Sequence, residues 1–303
     1  MLPGIYLVHK PKGPTSFEIV RGFGDEAARE ALGGQKKLPL CHGGTLDPFA
    51  EGLLLLLVGQ ATRLMELLHA VPKVYVAQIA WGLETDTCNP FGVEVLRADA
   101  TSLTPDALEQ AIPAFLGWRD QVPPATSAKK IGGEPAYKKV MRGEHVELPP
   151  SKVYLHSARW LSHDLPRSSR LEIVCRGGYY VRALARDLGR TLRCGAHLSA
   201  LARTAIGPWG DPAEGRVLVQ GEGLLPWCRS RRLQASEAED LRKGRPISLG
   251  EVRPADWAVP AGFPDPQGPI RALYEGRLVA LLREAGEAGE AKLATFANLR
   301  GGL

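Results

Sequence analysis

Asp47 is the side chain in this sequence that is best placed to do chemistry. It lies in a turn, residues 43–48 (G-G-T-L-D-P), which follows His42 and precedes the apolar run 53–58 (L-L-L-L-L-V). A carboxylate beside an apolar wall destabilises a fold unless it is paired or has a function. The alternative is an ordinary turn aspartate, which is the common role of Asp before Pro in a loop.

The length and charge of the chain limit the number of domains and the class of partner that can be expected. The 303 residues, 44% hydrophobic and 23% charged, can form a large core and exceed the commonest size of one domain. We expect a large domain over residues 1–231 and a small one over 232–303. The net charge is +5, and residues 232–303 carry ten Lys and Arg and ten Asp and Glu, so the excess lies in 1–231. A basic excess suits an RNA or DNA partner.

Cysteine usage and hydropathy exclude several classes of protein. The five cysteines are scattered and form no C-x-x-C pair, which argues against a disulfide framework and favours the reducing cytoplasm. A zinc site needs closely spaced ligand pairs, and nothing completes such a set beside Cys41 and His42. The N-terminus has no basic and apolar leader, and the run 53–58 is too short to span a bilayer. The sequence therefore predicts a soluble cytoplasmic protein without a metal site.

The elements that would position Asp47 can be read from periodicity and turn residues. Thr15 or Ser16 can cap a helix, residues 24–39 read as a helix and then a loop, and 62–69 have helical spacing. Residues 92–96 are expected to pair with the strand 74–81. Strands are predicted at 5–8, 53–58, 74–81, 171–175, 270–273, 278–282 and 293–296, and helices at 104–115, 180–192 and from 236 to 239.

Six segments, in order over about residues 4–207, resemble the TruB-type tRNA pseudouridine synthases. They are 10–16 (K-P-K-G-P-T-S), 42–48 with 52–53 (H-G-G-T-L-D-P and G-L), 73–75 (K-V-Y), 85–87 (T-D-T), 176–189 (R-G-G-Y-Y-V-R…D-L-G) and 194–203 (C-G-A-H-L…L…R). Of these, the G-G-T-L-D-P run is the most specific. The tail from about residue 232 is similar to a PUA module, through 242–247 (R-K-G-R-P-I).

The resemblance implies a fold, an activity and a partner. The fold would be α+β, with a catalytic domain built on a large, mainly antiparallel mixed sheet flanked by helices, plus a small β-rich PUA-like RNA-binding domain. The activity would be isomerisation of the T-loop uridine of tRNA (position 55) to pseudouridine on a flipped-out base. No cofactor, membrane contact or obligate protein partner is expected beside the T arm of tRNA, and a monomer is expected.

Asp47 and Arg182 are the central pair that the resemblance implies. Asp47 would be the nucleophile, attacking either C1′ of the sugar or the base, and the sequence leaves both courses open. A carboxylate beside an apolar run is pushed towards its neutral form, whereas a nearby guanidinium keeps it charged. Arg182 is the matching candidate; the alternatives for it are a surface arginine or a phosphate contact.

Four more residues would hold the flipped nucleotide. Tyr75 would stack on the uracil and take part in proton transfer, since an aromatic ring is the usual support for a splayed-out base. Tyr180 would face the same pocket, Leu201 would form its wall, and His42 would contact the nucleotide or fill the gap in the RNA stack. Taken alone, each of the four reads as an ordinary structural residue.

Flipping a base costs a few kcal/mol, which contacts to the RNA backbone must offset. The candidates are Lys10, Lys129, Lys130, Arg142 and Arg203, with other basic residues such as Lys36 and Lys37 in the same half of the chain. A solvated charged surface is the alternative for the group.

Two positions depart from the family pattern. Asn89 stands where many members have Asp after T-D-T, which puts an acidic contact there in doubt. Residues 126–129 (T-S-A-K) replace the usual aromatic-S-A-x-K, so the basic side chain is displaced by one position.

Three rival functions remain at this point. A guide-RNA-dependent synthase acting on ribosomal RNA would use the same chemistry with protein partners. An RNA-binding protein or tRNA-folding chaperone would not need Asp47. A hydrolase is disfavoured, because no second carboxylate is placed to activate water.

Overall fold

The structure, a computed structural model, describes residues 1–30, 38–127, 129–144, 146–266, 268–285, 292–299 and 301–303. The α-helices of this part of the chain are α1 (Ser16–Glu30), α2 (Pro105–Ala111), α3 (Ala136–Met141), α4 (Val181–Thr191) and α5 (Ala235–Arg242). Its 3-10 segments are Gly59–His69, Ile112–Phe115 and Gly221–Gly223.

The strands outnumber the helices. In the first two thirds of the chain they are β1 (Gly4–Lys10), β2 (Leu40–His42), β3 (Glu51–Val58), β4 (Lys73–Trp81), β5 (Leu83–Thr85), β6 (Glu94–Arg97), β7 (Gly117–Gln121), β8 (Lys130–Ile131), β9 (Glu134–Pro135), β10 (Ser151–Asp164), β11 (Ser168–Cys175) and β12 (Ala196–Ile206). The remaining strands are β13 (Trp209–Gly210), β14 (Arg216–Val219), β15 (Ser230–Arg232), β16 (Ile247–Ser248), β17 (Ile270–Tyr274), β18 (Arg277–Ala285) and β19 (Lys292–Asn298).

Ten of these strands belong to one large sheet, and five others form a separate C-terminal sheet in the order β15-β17-β18-β19-β16. Every pairing that involves β1 or β10 is antiparallel, while β15 and β17 run parallel in the smaller sheet. The predicted α+β class is therefore confirmed, with a large, mainly antiparallel sheet and a β-rich C-terminal region.

The chain divides into two compact units. The first contains Met1–Val71 and Ala205–Leu303, and the second contains Pro72–Thr204. This division differs from the predicted one at residue 231. The C-terminal leucines at 273, 278, 281, 299 and 303 share a core with Ile5 and with leucines of β3, so the C-terminal sheet packs as part of the first unit. The boundary at 231 stays a prediction about the PUA-like module.

The run of leucines in β3 serves two cores of the first unit. Leu53, Leu55 and Leu57 face the larger core, together with Trp209 and Trp227 and others. The intervening Leu54, Leu56 and Val58 pack with Tyr6, Val8 and Phe23 on the other side. Because successive side chains of a strand point to opposite faces, a fully apolar run is what a strand buried on both faces requires. Each fully buried leucine stabilises the fold by roughly 1.5–3 kcal/mol.

In the second unit the strands lie side by side in the order β12-β4-β11-β10-β7. Each neighbouring pair from β4 to β7 is antiparallel. Helix α4 in this unit is almost wholly buried. Two hairpins, β5–β6 and β8–β9, complete it.

Helix starts agree with the capping residues in the sequence. The Thr15 hydroxyl accepts from the Glu18 amide at 3.1 Å, and the Glu18 carboxylate accepts from the Thr15 amide at 2.7 Å. This reciprocal pair is a capping box, and it starts one helix at Ser16 that continues through the predicted 24–30. Thr104 caps α2, whose first residue is Pro105.

One predicted pairing is wrong. Residues 92–96 were expected beside the strand 74–81, but β6 pairs with β5, through Leu83 with Arg97 and Glu84 with Leu96. The chain turns at Gly82, where φ is +87°, so the partner of β6 is the short strand after the turn.

Candidate active site

The loop that carries Asp47 leaves β2 and enters β3 in the first unit. The Gly43 amide donates to the Leu55 carbonyl at 2.8 Å, and the Ala50 amide donates to the Asp47 carbonyl at 3.0 Å. A Cβ on Gly43 would lie 2.8 Å from Leu68 Cδ1 and 3.1 Å from Leu55 Cβ. Glycine at 43 therefore lets the loop lie against these leucines without displacing them, and Asp47 itself is half-buried.

Two residues of the 10–16 segment hold this loop from the other side. The Lys10 side chain is fully buried, and its ammonium donates to the carbonyls of Pro11 at 3.0 Å, Pro48 at 3.3 Å and Ala50 at 2.6 Å. The Ser16 hydroxyl donates to the Leu46 carbonyl at 3.0 Å and accepts from the Leu46 amide at 2.9 Å. Residues on both sides of Asp47 are thus tied to the N-terminal segment.

Lys10 was a candidate for contact with the RNA backbone, and its position corrects that expectation. A side chain with no exposed surface cannot reach a phosphate while its ammonium is bonded to three carbonyls. Its place is that of a support for the Asp47 loop. His42 is half-buried on the same loop, and its Nδ1 accepts from the Gly44 amide at 3.4 Å.

Tyr75 lies in the second unit, on β4, with 7% of its surface exposed. The Arg203 guanidinium carbon lies 5.9 Å from the centre of the Tyr75 ring, within range of a cation–π interaction. Arg203 is itself only 1% exposed. It was another candidate for phosphate contact, and this burial corrects that expectation also, because the guanidinium lies inside the protein beside the tyrosine.

Lys73 shares this region of the second unit and is 5% exposed. Burial, together with the nearby charge of Arg203, lowers the pKa of its ammonium to about 7. Cys175 pairs with Lys73 across β4 and β11, and burial raises the pKa of its thiol to about 12. A lysine that is half neutral near pH 7 thus lies two residues from Tyr75.

Tyr180 and Arg182 lie where α4 begins. The Gln121 side chain holds Tyr180 by its backbone: Nε2 donates to the Tyr180 carbonyl at 3.1 Å, and Oε1 accepts from its amide at 2.9 Å. Sequence reasoning missed Gln121, because the two residues are 59 positions apart. Leu201, which was expected in the pocket wall, is buried on β12.

Arg182 is 6% exposed and is held by two segments of the second unit. Its Nη1 donates to the Thr87 carbonyl at 3.0 Å and to the Thr126 hydroxyl at 2.8 Å, and its Nη2 donates to the Thr126 carbonyl at 3.1 Å. These bonds fix the plane of the guanidinium. Thr126 was noted in the sequence only as a departure from the family pattern, and its hydroxyl is the feature that could have indicated this contact.

Asn89, the other departure, stabilises the loop that carries Thr87. Its side-chain oxygen accepts from the Thr87 hydroxyl at 2.8 Å and from the Phe91 amide at 3.0 Å. A carboxylate oxygen could accept the same two bonds, so the amide is a sufficient substitute within this loop.

The other basic candidates differ in their surroundings. The Lys129 ammonium donates to the Pro149 carbonyl at 3.0 Å and to the Ser151 hydroxyl at 2.5 Å. Arg142 is exposed and forms ion pairs with Glu134 and Glu144, each at 2.7 Å. The side chain of Lys130, like residues Lys36 and Lys37, lies outside the described part of the chain. Contact of Lys129, Lys130 and Arg142 with phosphate groups of the RNA therefore remains a prediction.

Among the described residues, no three His, Cys, Asp or Glu side chains are grouped so that they could hold a metal ion. The five cysteines are free thiols. No helix in the described ranges is both long enough and apolar enough to cross a membrane.

The predicted site residues fall into two sets. Asp47 and His42 belong to the first unit, while Tyr75, Tyr180, Arg182 and Leu201 belong to the second. Within the second unit, Tyr180 and Arg182 share the start of one helix, and Tyr75 lies beside Arg203.

Comparison with known proteins identifies the family. Residues 30–181 match the model of the TruB family pseudouridylate synthase N-terminal domain. The tRNA pseudouridine synthase B of Arthrobacter sp. (strain FB24) is 36% identical over 309 residues, covering 94% of this chain and 94% of the relative. That of Mycobacterium avium (strain 104) is 37% identical over 300 residues, covering 94% and 93%.

Solved structures agree at the level of the fold. A chain of a Cbf5-Nop10-Gar1 complex superposes with a TM-score of 0.67 at 20% identity, covering 98% of this chain and 84% of that one. The family match and the long alignments to curated relatives lead to one conclusion: the chain belongs to the TruB family of pseudouridylate synthases, which are isomerases.

Proposed function

We propose that this protein is a tRNA pseudouridine synthase that isomerises the T-loop uridine at position 55. The observation that carries the proposal is the Asp47 loop, tied at Leu46, Pro48 and Ala50 to the 10–16 segment, in a chain 36% and 37% identical to proteins named tRNA pseudouridine synthase B. A carboxylate whose neighbouring residues are held on both sides by hydrogen bonds keeps its position while a large substrate binds.

The reaction is an isomerisation in which Asp47 acts as the nucleophile. The bond between N1 of uracil and C1′ breaks, the base turns, and a bond between C5 and C1′ forms; C5 loses a proton and N1 gains one. No water is consumed and no electron is transferred. Asp47 attacks either C1′ or the base to hold the intermediate, and the Arg182 guanidinium keeps the carboxylate charged and aimed.

The remaining residues hold the flipped nucleotide. Tyr75 stacks on the uracil and takes part in proton transfer, Tyr180 and Leu201 line the base, and His42 contacts the nucleotide or fills the gap it leaves. Support for Tyr75 comes from its burial beside Arg203, whose guanidinium carbon lies 5.9 Å from the centre of the ring. Lys129, Lys130 and Arg142 are the proposed contacts to the RNA backbone.

The same proposal covers the C-terminal module, the oligomeric state and the cellular compartment. The C-terminal sheet acts as a PUA-like RNA-binding module over 232–303, although its first strand begins at Ser230. The enzyme works as a monomer in the cytoplasm, where free thiols persist. It needs neither a cofactor nor an obligate protein partner.

Conversion of Asp47 to Asn tests the central claim. Purified Asp47→Asn protein should form no pseudouridine in an unmodified tRNA transcript, and it should bind that transcript within about threefold of the native protein. Asp99→Asn is the matched control, since Asp99 is an exposed turn aspartate that accepts from the Thr101 amide. Formation of pseudouridine by Asp47→Asn would refute the nucleophile assignment.

The same assay separates the proposed function from both rivals. An enzyme that acts on ribosomal RNA with a guide would leave the bare tRNA transcript unmodified. A protein that acts only as a tRNA-folding chaperone would make no pseudouridine in either form.

A further inference from the structure

Trp118 is the most exposed of the six tryptophans, and Trp257 is partly buried. Trp81, Trp160, Trp209 and Trp227 are each less than 10% exposed, whereas Trp118 on the edge strand β7 is 47% exposed. An indole left in water forgoes a large part of the free energy that its burial would contribute. A single exposed aromatic ring is common on protein surfaces; Trp118 differs in having two cations beside its ring.

The neighbours of Trp118 form a defined surface, which we call the Trp118 platform: Trp118, Lys152, Tyr154 and Arg176. Tyr154 pairs with Trp118 across β10 and β7, and their ring centres are 5.2 Å apart. The Lys152 ammonium lies 5.5 Å from the centre of the indole, and the Arg176 guanidinium carbon lies 5.6 Å from it. Two cations thus flank one exposed aromatic ring.

Neither cation is neutralised. Within the described ranges, no carboxylate forms an ion pair with Lys152 or Arg176, and the Arg176 Nε is buried without a hydrogen-bond partner. Asp120 is the cross-strand neighbour of Lys152, yet it forms no ion pair with it. By contrast, Arg159 on the same strand β10 is paired with Glu172 at 2.8 Å. The platform therefore carries two cations without an ion-pair partner among the described residues, and one exposed carboxylate, Asp120, lies opposite Lys152.

We propose that the Trp118 platform binds an unpaired nucleotide of the substrate RNA, with the base stacked on Trp118 and its phosphate between Lys152 and Arg176. An aromatic face beside cations is the combination that binds single-stranded nucleic acid without reading its sequence. The inference rests on the proposed function in one respect: it takes the substrate to be RNA.

The platform is connected to Tyr180 through the backbone of the second unit. Gln121, which holds Tyr180, lies three residues after Trp118 on β7, about 10 Å along the strand. Arg176 directly precedes the 177–180 segment, and its amide donates to the Tyr154 carbonyl at 3.0 Å. Because β7 is the last strand in the order of this unit, RNA that passes Tyr180 can continue around its open edge to the platform.

Equilibrium binding tests the proposal apart from catalysis. The dissociation constant for an unmodified tRNA transcript is measured in the Asp47→Asn background, in which the proposed function predicts no turnover. Trp118→Ala should weaken binding about tenfold, and Trp118→Phe should restore most of it, because stacking on an aromatic ring contributes on this scale per base. Lys152→Met should weaken binding about threefold and reduce the slope of log Kd against log salt by somewhat less than one.

Two matched variants control for lost charge and lost apolar surface on β10. Arg159→Met removes a cation that Glu172 already pairs, and Leu161→Ala shortens a side chain that is 37% exposed; both should bind as the parent does. Binding by Trp118→Ala and Lys152→Met within twofold of the parent would overturn the proposal. Such a result would not affect the Asp47 claim, which depends on pseudouridine formation alone.

Discussion

The ammonium of Lys10 donates a 2.6 Å hydrogen bond to the carbonyl of Ala50, forty positions along the chain. It also reaches the carbonyls of Pro11 and Pro48, so a fully buried cation takes the place that water or a backbone amide would occupy. The loop that carries Asp47 is closed by this side chain. The conformation of the loop therefore depends on a residue of β1.

Lys10→Met should destabilise the protein and slow its reaction. Methionine fills the space but leaves carbonyls without a donor, which costs about 1–3 kcal/mol in the free energy of unfolding. The turnover number should fall more than tRNA affinity does, because Asp47 loses its position while RNA-binding surfaces remain. Urea unfolding and single-turnover kinetics measure the two effects. Lys12→Met, at an exposed pair with Glu51, should change stability by less than about 0.5 kcal/mol.

The buried amine of Lys73 should make stability depend on pH. Its pKa in the folded protein is about 7, below the value of about 10.4 for an unfolded lysine. Between these values the unfolded chain binds more protons, so stability rises with pH through this window. Below pH 7 both states are protonated and the full penalty of burying the charge applies.

The difference between the native protein and Lys73→Met isolates this effect. The difference in unfolding free energy should change by up to about 1.4 kcal/mol per pH unit between pH 7 and pH 10. Burial raises the pKa of Cys175 to about 12, and the charge of Lys73 lowers it. This thiol has the opposite effect on stability above pH 8.5, and its contribution differs between the two proteins. The slope is therefore read between pH 7 and pH 8, where the thiol stays protonated in the folded and unfolded chains. A constant difference over the window would show that Lys73 stays charged.

Thr126 should act as a positioning residue for Arg182. Thr126→Val keeps the shape of the side chain but removes the hydroxyl that accepts from Nη1 at 2.8 Å. Loss of one hydrogen bond to a charged group, about 1.5–3 kcal/mol, should lower the turnover number at least tenfold with little change in tRNA affinity. Thr126→Ser should behave as the native protein; equal impairment of both variants would assign the effect to packing instead.

Asn89→Asp should be tolerated. The carboxylate can accept from the Thr87 hydroxyl and the Phe91 amide as the amide oxygen does, so the free energy of unfolding should stay within about 1 kcal/mol of the native value. Asn89→Leu leaves both donors without this partner and should lose about 1–2 kcal/mol. Thermal unfolding of the two variants side by side gives the comparison. A larger loss for Asp than for Leu would contradict the acceptor role.

The residues of the candidate site were more accessible to sequence reasoning than the contacts that support them. The apolar run at 53–58 predicted a buried strand, and β3 is buried over its whole apolar length. Lys10, in contrast, reads as a surface cation in K-P-K, because its acceptors at Pro48 and Ala50 lie far along the chain. Gln121 was missed for the same reason.

Strand β10 was not predicted from the sequence, and the reason is local to this strand. In β10 the alternation of Val153 and Leu155 is interrupted, because register shifts occur between Leu155 and Ser157 and again between Trp160 and Ser162. Each shift moves the following side chains to the other face of the sheet. A pattern of period two is therefore lost from the sequence although the strand continues from Ser151 to Asp164.

The first unit is built from two separate stretches of chain, residues 1–71 and 205–303. This arrangement affects how the protein folds during synthesis on the ribosome. Strand β1 pairs with β14, and Ile5 lies opposite Val219. This pairing can form only after residue 219 has been synthesised. The second unit is continuous in sequence and can complete its own contacts earlier. Non-local pairings of this kind slow folding. Leu53, Leu55 and Leu57, whose core includes Leu299 and Leu303, stay exposed to chaperones until the last strands emerge.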